Sequence, residues 1–196
     1  RFALSKYVGD HTLEMIKKTS DTEPDLGGTS QQLAILFTDI RGSTEKIANS
    51  DPETFIKYLN QTLSSQADAV LQQDGSIDKF VGDSLIALFS GVNALERAIK
   101  CGVTIQTSFR DDAEVAKFFD GLGVGINFGP MILGNMGAKE RLDYTVIGPE
   151  VNLAARLCSV AEKGQVLLPK NKVHYFGLEQ IFSFQKVTKK NLKGFD

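Results

Sequence analysis

Residues 33–37 read Leu-Ala-Ile-Leu-Phe, an unbroken apolar run that stops at Thr38-Asp39. A strand without polar alternation has two apolar faces, so it belongs inside a sheet covered on both sides. This excludes a sheet with one wet face at that strand. It also sets a carboxylate, Asp39, at the end of a buried strand.

The neighbouring patterns supply the covering layers. Asp51-Pro52 is an N-cap followed by a first-turn proline, and Phe55, Ile56, Leu59, Leu63, Ala67, Val70 and Leu71 predict an amphipathic helix with one apolar stripe, ended by Gly75. Ser76–Phe80, Val81-Gly82-Asp83 and Ser84–Ser90 read as strand, tight turn, strand, which puts a second acid, Asp83, in the turn. A second amphipathic helix is expected from Asn93 to Arg110. Leu122–Phe128 and Met131–Asn135 read as two strands joined across Gly129-Pro130, with Asp143–Ile147 a further strand. Gly148-Pro149 opens a helix running to about Val160, Gly164 closes the following turn, and Val166–Leu168 and Phe182–Val187 supply late strands. Helices and strands alternate irregularly and hairpins are included, so the fold class is α+β, a sheet with helices packed on it.

Ahead of this pattern, Arg1–Lys18 has apolar residues at helical spacings, and Thr19–Gln32 has the composition of a linker, which starts the folded domain near Gln31. The 196 residues suit one catalytic-sized domain plus that appendage. With 22 basic and 24 acidic side chains the chain lacks the broad basic field that binds nucleic acid, so no nucleic-acid partner is expected. Two cysteines, Cys101 and Cys158, are too few for a disulfide framework and are expected as free thiols of a reducing compartment. No apolar run approaches the roughly 20 residues that cross a bilayer, and no signal-peptide pattern opens the chain, so no direct membrane contact is expected from this segment. The chain reads as a cytoplasmic piece of a larger protein.

Asp39 and Asp83 are the residues that packing explains least. Two carboxylates at strand and turn ends could hold a divalent cation such as Mg²⁺, which takes carboxylate and phosphate oxygens. The competing reading gives Asp39 to capping a short helix over Gly42–Asn49 and Asp83 to the turn alone. Asn152 and Arg156 are four apart, on one helical face, and suit a phosphoryl group, although an exposed and solvated face would show the same spacing. Lys79 by itself reads as a solvated edge lysine. Gly123-Val124-Gly125 with Gly129 lacks dinucleotide-fingerprint spacing and lies within a strand, and no P-loop sequence is present. His11 and His174 are isolated and support no triad.

Four segments in this order resemble the class III nucleotidyl cyclases, the adenylyl and guanylyl cyclase catalytic domains. They are Leu36-Phe37-Thr38-Asp39-Ile40-Arg41-Gly42-Ser43-Thr44, Asp78-Lys79-Phe80-Val81-Gly82-Asp83, Gly123–Gly129, and Asp143–Gly148 running into Val151–Leu157. The resemblance covers residues 31–196 and implies a ferredoxin-like βαββαβ fold, a mixed but mainly antiparallel sheet with helices packed on it. It implies a homodimer with active sites between subunits, ATP as substrate, and two Mg²⁺ or Mn²⁺ ions per site. Asp39, Asp83 and Ile40 would serve the metals. Lys79 and Thr145 would contact the purine. Asn152 and Arg156 would act in catalysis at the ribose and triphosphate, and Phe37, Thr38, Gly42, Ser43 and Thr44 would bind substrate. The reaction implied is attack of the ribose 3′-hydroxyl on the α-phosphate, giving a 3′,5′-cyclic monophosphate and pyrophosphate.

Lys79 is the residue type of adenylyl members, where guanylyl cyclases usually carry Glu, and Thr145 is similar to a bacterial subgroup with Thr in place of Asp. Ser43 departs from the Phe common at that position. The chain also stops at Lys193-Gly194-Phe195-Asp196, ahead of a further phosphate-contacting lysine of related enzymes, which implies lower activity than the parent. The alternatives are a guanylyl cyclase and an inactive cyclase homology module that only dimerises. A diguanylate cyclase is disfavoured because its Gly-Gly-Asp-Glu-Phe motif is missing.

Overall fold

The apolar run forms the centre of β1 (Gly27–Arg41), a 15-residue strand. Its flanks are β3 (Ser84–Ser90) and β4 (Gly121–Ala138), both antiparallel to it. The computed structural model describes Thr12, residues 26–138 and residues 141–187. β2 (Ser76–Val81) pairs with β3 and β5 (Arg141–Ile147) with β4, giving the order β2-β3-β1-β4-β5, while β6 (Val166–Leu167) adds in parallel to β4. The fold is therefore the α+β arrangement expected, a mainly antiparallel sheet carrying helices.

Period-two alternation divides β1 between two cores. Ala34, Leu36 and Ile40 join Ala87, Phe89 and Ile126 under α2 (Pro52–Gln72) and α3 (Ala94–Asp111). Leu33 and Ile35 join Leu88, Met131 and Val146 under α5 (Pro149–Val160), which contributes Ala154. From Leu33 to Leu36 both faces of β1 are dry because each has its own helical cover. The smaller elements are α1 (Ser43–Asn49), α4 (Ala113–Phe118), α6 (Lys170–Tyr175) and a 3₁₀ turn at Leu178–Gln180.

Several expectations are corrected. β1 begins at Gly27, ahead of the strand expected at Leu33–Phe37, because the polar Gly27–Gln32 stretch continues the ladder opposite Pro130–Asn135. The two strands expected on either side of Gly129-Pro130 are one strand. β1 pairs with it without a break from Gly121 to Asn135, and the fixed φ of proline is compatible with extended backbone. The α2 stripe is rotated from the expected one. Phe55, Thr62, Gln66, Ala69 and Val70 are buried, whereas Ile56 and Leu71 are exposed, since the helix turns a polar pair toward the sheet. Phe182–Val187 forms no strand. The helix expected at Arg1–Lys18 lies outside the described residues apart from Thr12. Among the described residues no helix is long and apolar enough to cross a membrane.

Candidate active site

The two acids are delivered by β1 and by the β2–β3 hairpin. Gly82, at φ +61°, makes the tight turn that a residue with a side chain resists, and the next residue is Asp83. The β1–β3 ladder runs from Leu33–Ser90 to Phe37–Ile86 and then stops. Where the next pair would form, Thr38 Oγ1 accepts the Leu85 N–H at 3.0 Å and donates to Gln66 Oε1 at 2.6 Å. The side chain takes over the ladder's hydrogen bond and pins both strands to α2. Beyond this pin Asp39 points to the α5 side, the side of Leu33 and Ile35 by strand parity, and receives a hydrogen bond from Ser84 Oγ at 3.3 Å.

Asp39 and Asp83 interact electrostatically. Burial is the main cause that raises the Asp39 pKa, Arg41 opposes the rise, and the Asp83 charge and the Ser84 hydrogen bond act more weakly in opposite senses. Arg41 Nη1 donates to Asp39 Oδ2. Asp83 Oδ2 is buried and has no hydrogen-bond partner, an arrangement that costs free energy for a carboxylate oxygen unless something cationic meets it. Among the described residues no group of three or more His, Cys, Asp and Glu side chains converges. Two carboxylates without imidazole or thiolate fit a hard, oxygen-seeking cation that draws its other ligands from backbone, water or phosphate. The residues present thus fit a divalent ion of the Mg²⁺ or Mn²⁺ type. The competing reading, Asp39 as a helix cap, fails: α1 is capped at Gly42 with no side-chain hydrogen bond.

Lys79 Nζ donates to Thr145 Oγ1 at 2.7 Å. These residues sit on β2 and β5, the two ends of the five-strand order. In a flat sheet those strands would lie about 19 Å apart, so the contact requires a strongly coiled sheet. A bulge contributes. The register slips between Ile77 and Lys79, leaving Asp78 extra, so Lys79 faces Ile86 and not Leu85 and is turned to the side opposite Ile77. Lys79 Nζ also lies 3.5 Å from Asp78 Oδ2.

Asn152 and Arg156 stand on α5. Ala154 packs on the sheet, and each of the two is about 200° around the helix from it, so they share the outward face. Asn152 is exposed and Arg156 half-buried. The helix lies close because Gly125 has no side chain: a Cβ there would overlap the backbone of Ala154 and Cys158. The glycine-rich segment is a packing surface for α5.

The remaining expected positions divide. Phe37 is half-buried against the core under α5, and Ser43 and Thr44 begin α1 beside Gly42, whose missing Cβ makes room for Asp120. Thr38 is fully buried with both hydrogen bonds internal, so its side chain is structural. Ile40 is 2% exposed and could offer a cation only its carbonyl oxygen. Sequence reasoning missed Gln66, Ser84, Arg41 and the Asp78 bulge. Gln66 was legible only as a polar residue inside an amphipathic helix.

Residues 28–196 match the family of adenylate and guanylate cyclase catalytic domains. The chain belongs to the class III nucleotidyl cyclases. The cyclase domain is similar to the adenylyl cyclase CyaB from P. aeruginosa, at 29% identity and a TM-score of 0.79 over 87% of this chain and 91% of that one. It is also similar to the guanylyl cyclase Cya2, at 32% identity and a TM-score of 0.70 over 76% and 80%. An uncharacterized protein of Mycobacterium tuberculosis is 34% identical over 155 residues, 79% of this chain. The cyclase domain spans 29% of that relative's length.

Proposed function

We propose that the domain is an adenylyl cyclase, converting ATP to 3′,5′-cyclic AMP and pyrophosphate at sites shared between two copies of the chain. The observation that carries the choice of ATP is the Lys79–Thr145 contact. An ammonium donor and a hydroxyl oxygen 2.7 Å apart suit neighbouring atoms of adenine, whose N1 accepts and whose 6-amino group donates. Lys79 has three donor hydrogens, so it can bond Thr145 and N1 together, and a lone pair of Thr145 remains for the amino group.

Asp39 and Asp83 would hold the divalent cations, with the carbonyl of Ile40 beside them. When bound, such ions lower the pKa of the ribose 3′-hydroxyl and neutralise charge on the phosphates. Arg156 neutralises charge that builds on the α-phosphate oxygens during in-line attack, and Asn152 hydrogen-bonds and orients the ribose. Because these two side chains face away from their own sheet, they suit a site completed by the partner's acids. Exposed apolar side chains support such pairing: Phe80 and Val81 at the hairpin, and the cross-strand pair Ile132 and Ile147.

The deciding assay supplies purified protein and Mn²⁺ with ATP or GTP and quantifies the cyclic product. Cyclic AMP is expected as the main product. A preference for GTP would replace the reading with a guanylyl cyclase, and no turnover of either would leave the dimerisation module.

A further inference from the structure

The guanidinium of Arg41 joins two parts of the molecule that the proposed reaction uses separately. Nη1 donates to Asp39 Oδ2, while Nη2 donates to the carbonyls of Cys158 and Ala161, the latter at 2.8 Å. Those carbonyls lie at the C-terminal end of α5, where positive charge is favoured; that of Cys158 also accepts the Ala161 N–H at 3.2 Å. Space for the guanidinium is built into β4: Gly123 stands opposite Asp39, and a Cβ there would collide with Arg41. One side chain therefore grips both an acid of the candidate cation site and the end of the helix whose outer face carries Asn152 and Arg156.

We propose that Arg41 is a positioning residue that couples the Asp39 carboxylate to α5, so that a cation taken up by the acid pair is felt by the helix presenting Asn152 and Arg156. This rests on the reading of Asp39 and Asp83 as cation ligands. A divalent ion held by Asp39 would compete with the guanidinium for the same carboxylate, and their like charges would repel. Cation uptake loosens the Arg41 grip on Asp39 and with it the clamp on the helix end. In a dimer whose α5 serves the partner's acids, occupancy of one site would then reach the other.

Hydrogen exchange on the whole protein with Mn²⁺ and no nucleotide tests this, with Mn²⁺ binding read by its electron paramagnetic resonance signal in the same samples. In wild type, Mn²⁺ is expected to speed exchange at the end of α5, including the Ala161 amide that bonds Leu157 O, by roughly threefold or more. In Arg41→Met, and in Arg41→Lys as the variant that keeps the charge but loses the fork, Mn²⁺ binds and α5 does not respond. Both variants are expected to exchange faster at the end of α5 even without Mn²⁺, because the bonds to the Cys158 and Ala161 carbonyls are weakened or lost; a merely structural role for Arg41 differs in leaving wild-type exchange there unresponsive to Mn²⁺. Bound Mn²⁺ with unchanged wild-type α5 exchange overturns the coupling and leaves the cation site standing. Failure of Mn²⁺ to bind overturns both.

Discussion

The Asp39 carboxylate sits in a place that opposes its charge. Its pKa is raised chiefly by burial, and the Arg41 ion pair offsets only part of that. Above the raised value the carboxylate is charged in the folded and unfolded states alike, and the penalty is fully present. As pH falls toward the ordinary carboxylate value of about 3.9 the folded state takes up its proton first and the penalty disappears. Asp39→Asn is therefore expected to melt higher than wild type at pH 7, with the gap narrowing toward about pH 4 in a calorimetric series, while cyclase activity is lost. Mn²⁺ affinity of wild type should rise with pH over the same window, because proton and metal compete. If Lys79 contacts the purine as proposed, Lys79→Glu replaces a donor with an acceptor and is expected to cut kcat/KM for ATP by about 10–100-fold relative to GTP, read from paired product assays. The thiols are inert by contrast: burial pushes both Cys101 and Cys158 up to about 12, and neither should react with iodoacetamide at pH 8 before unfolding.

At the level of elements, the acid site depends on where β1 and β3 part. Thr38 is the last contact, and its hydroxyl satisfies the Leu85 N–H while engaging Gln66 of α2. Thr38→Val keeps the shape but leaves that buried N–H and the Gln66 amide short of partners, so it should cost about 1–3 kcal/mol in urea unfolding. Activity should fall as well, since the distance between Asp39 and Asp83 is set just beyond the pin. The sequence disclosed these elements unevenly. β1, the hairpin, α3 and α5 announce themselves because apolar runs, a Gly-Asp turn and Gly-Pro openings are local signals. The Asp78 bulge and the unbroken β4 depend on the partner strand: Lys79 faces Ile86 because β3 holds it there, and Gly129-Pro130 stays extended because β1 runs past it. The true buried face of α2 was hidden for a similar reason. Gln66 faces inward only because Thr38 offers it a hydroxyl from 28 positions away.

At the scale of the whole molecule, the proposed reading gives a single chain two half-sites. One is the acid pair, with Asp39 on the α5 side of the sheet, and the other is the outward face of α5 itself. An isologous dimer would bring each half-site to the partner's complement. Mixing two dead variants separates this arrangement from one in which each chain is sufficient. Asp39→Ala removes a cation ligand, and Arg156→Ala removes charge stabilisation, which should cost at least about 10²-fold in kcat. If subunits exchange freely at equal concentration, half of the dimers are mixed, and each mixed dimer has one site with both defects and one with neither. Activity should return to about one quarter of wild type by this count. Sites complete within one chain give no recovery, and the same experiment with Asp39→Ala and Asp83→Ala should also give none, because both acids are lost from the same half-site.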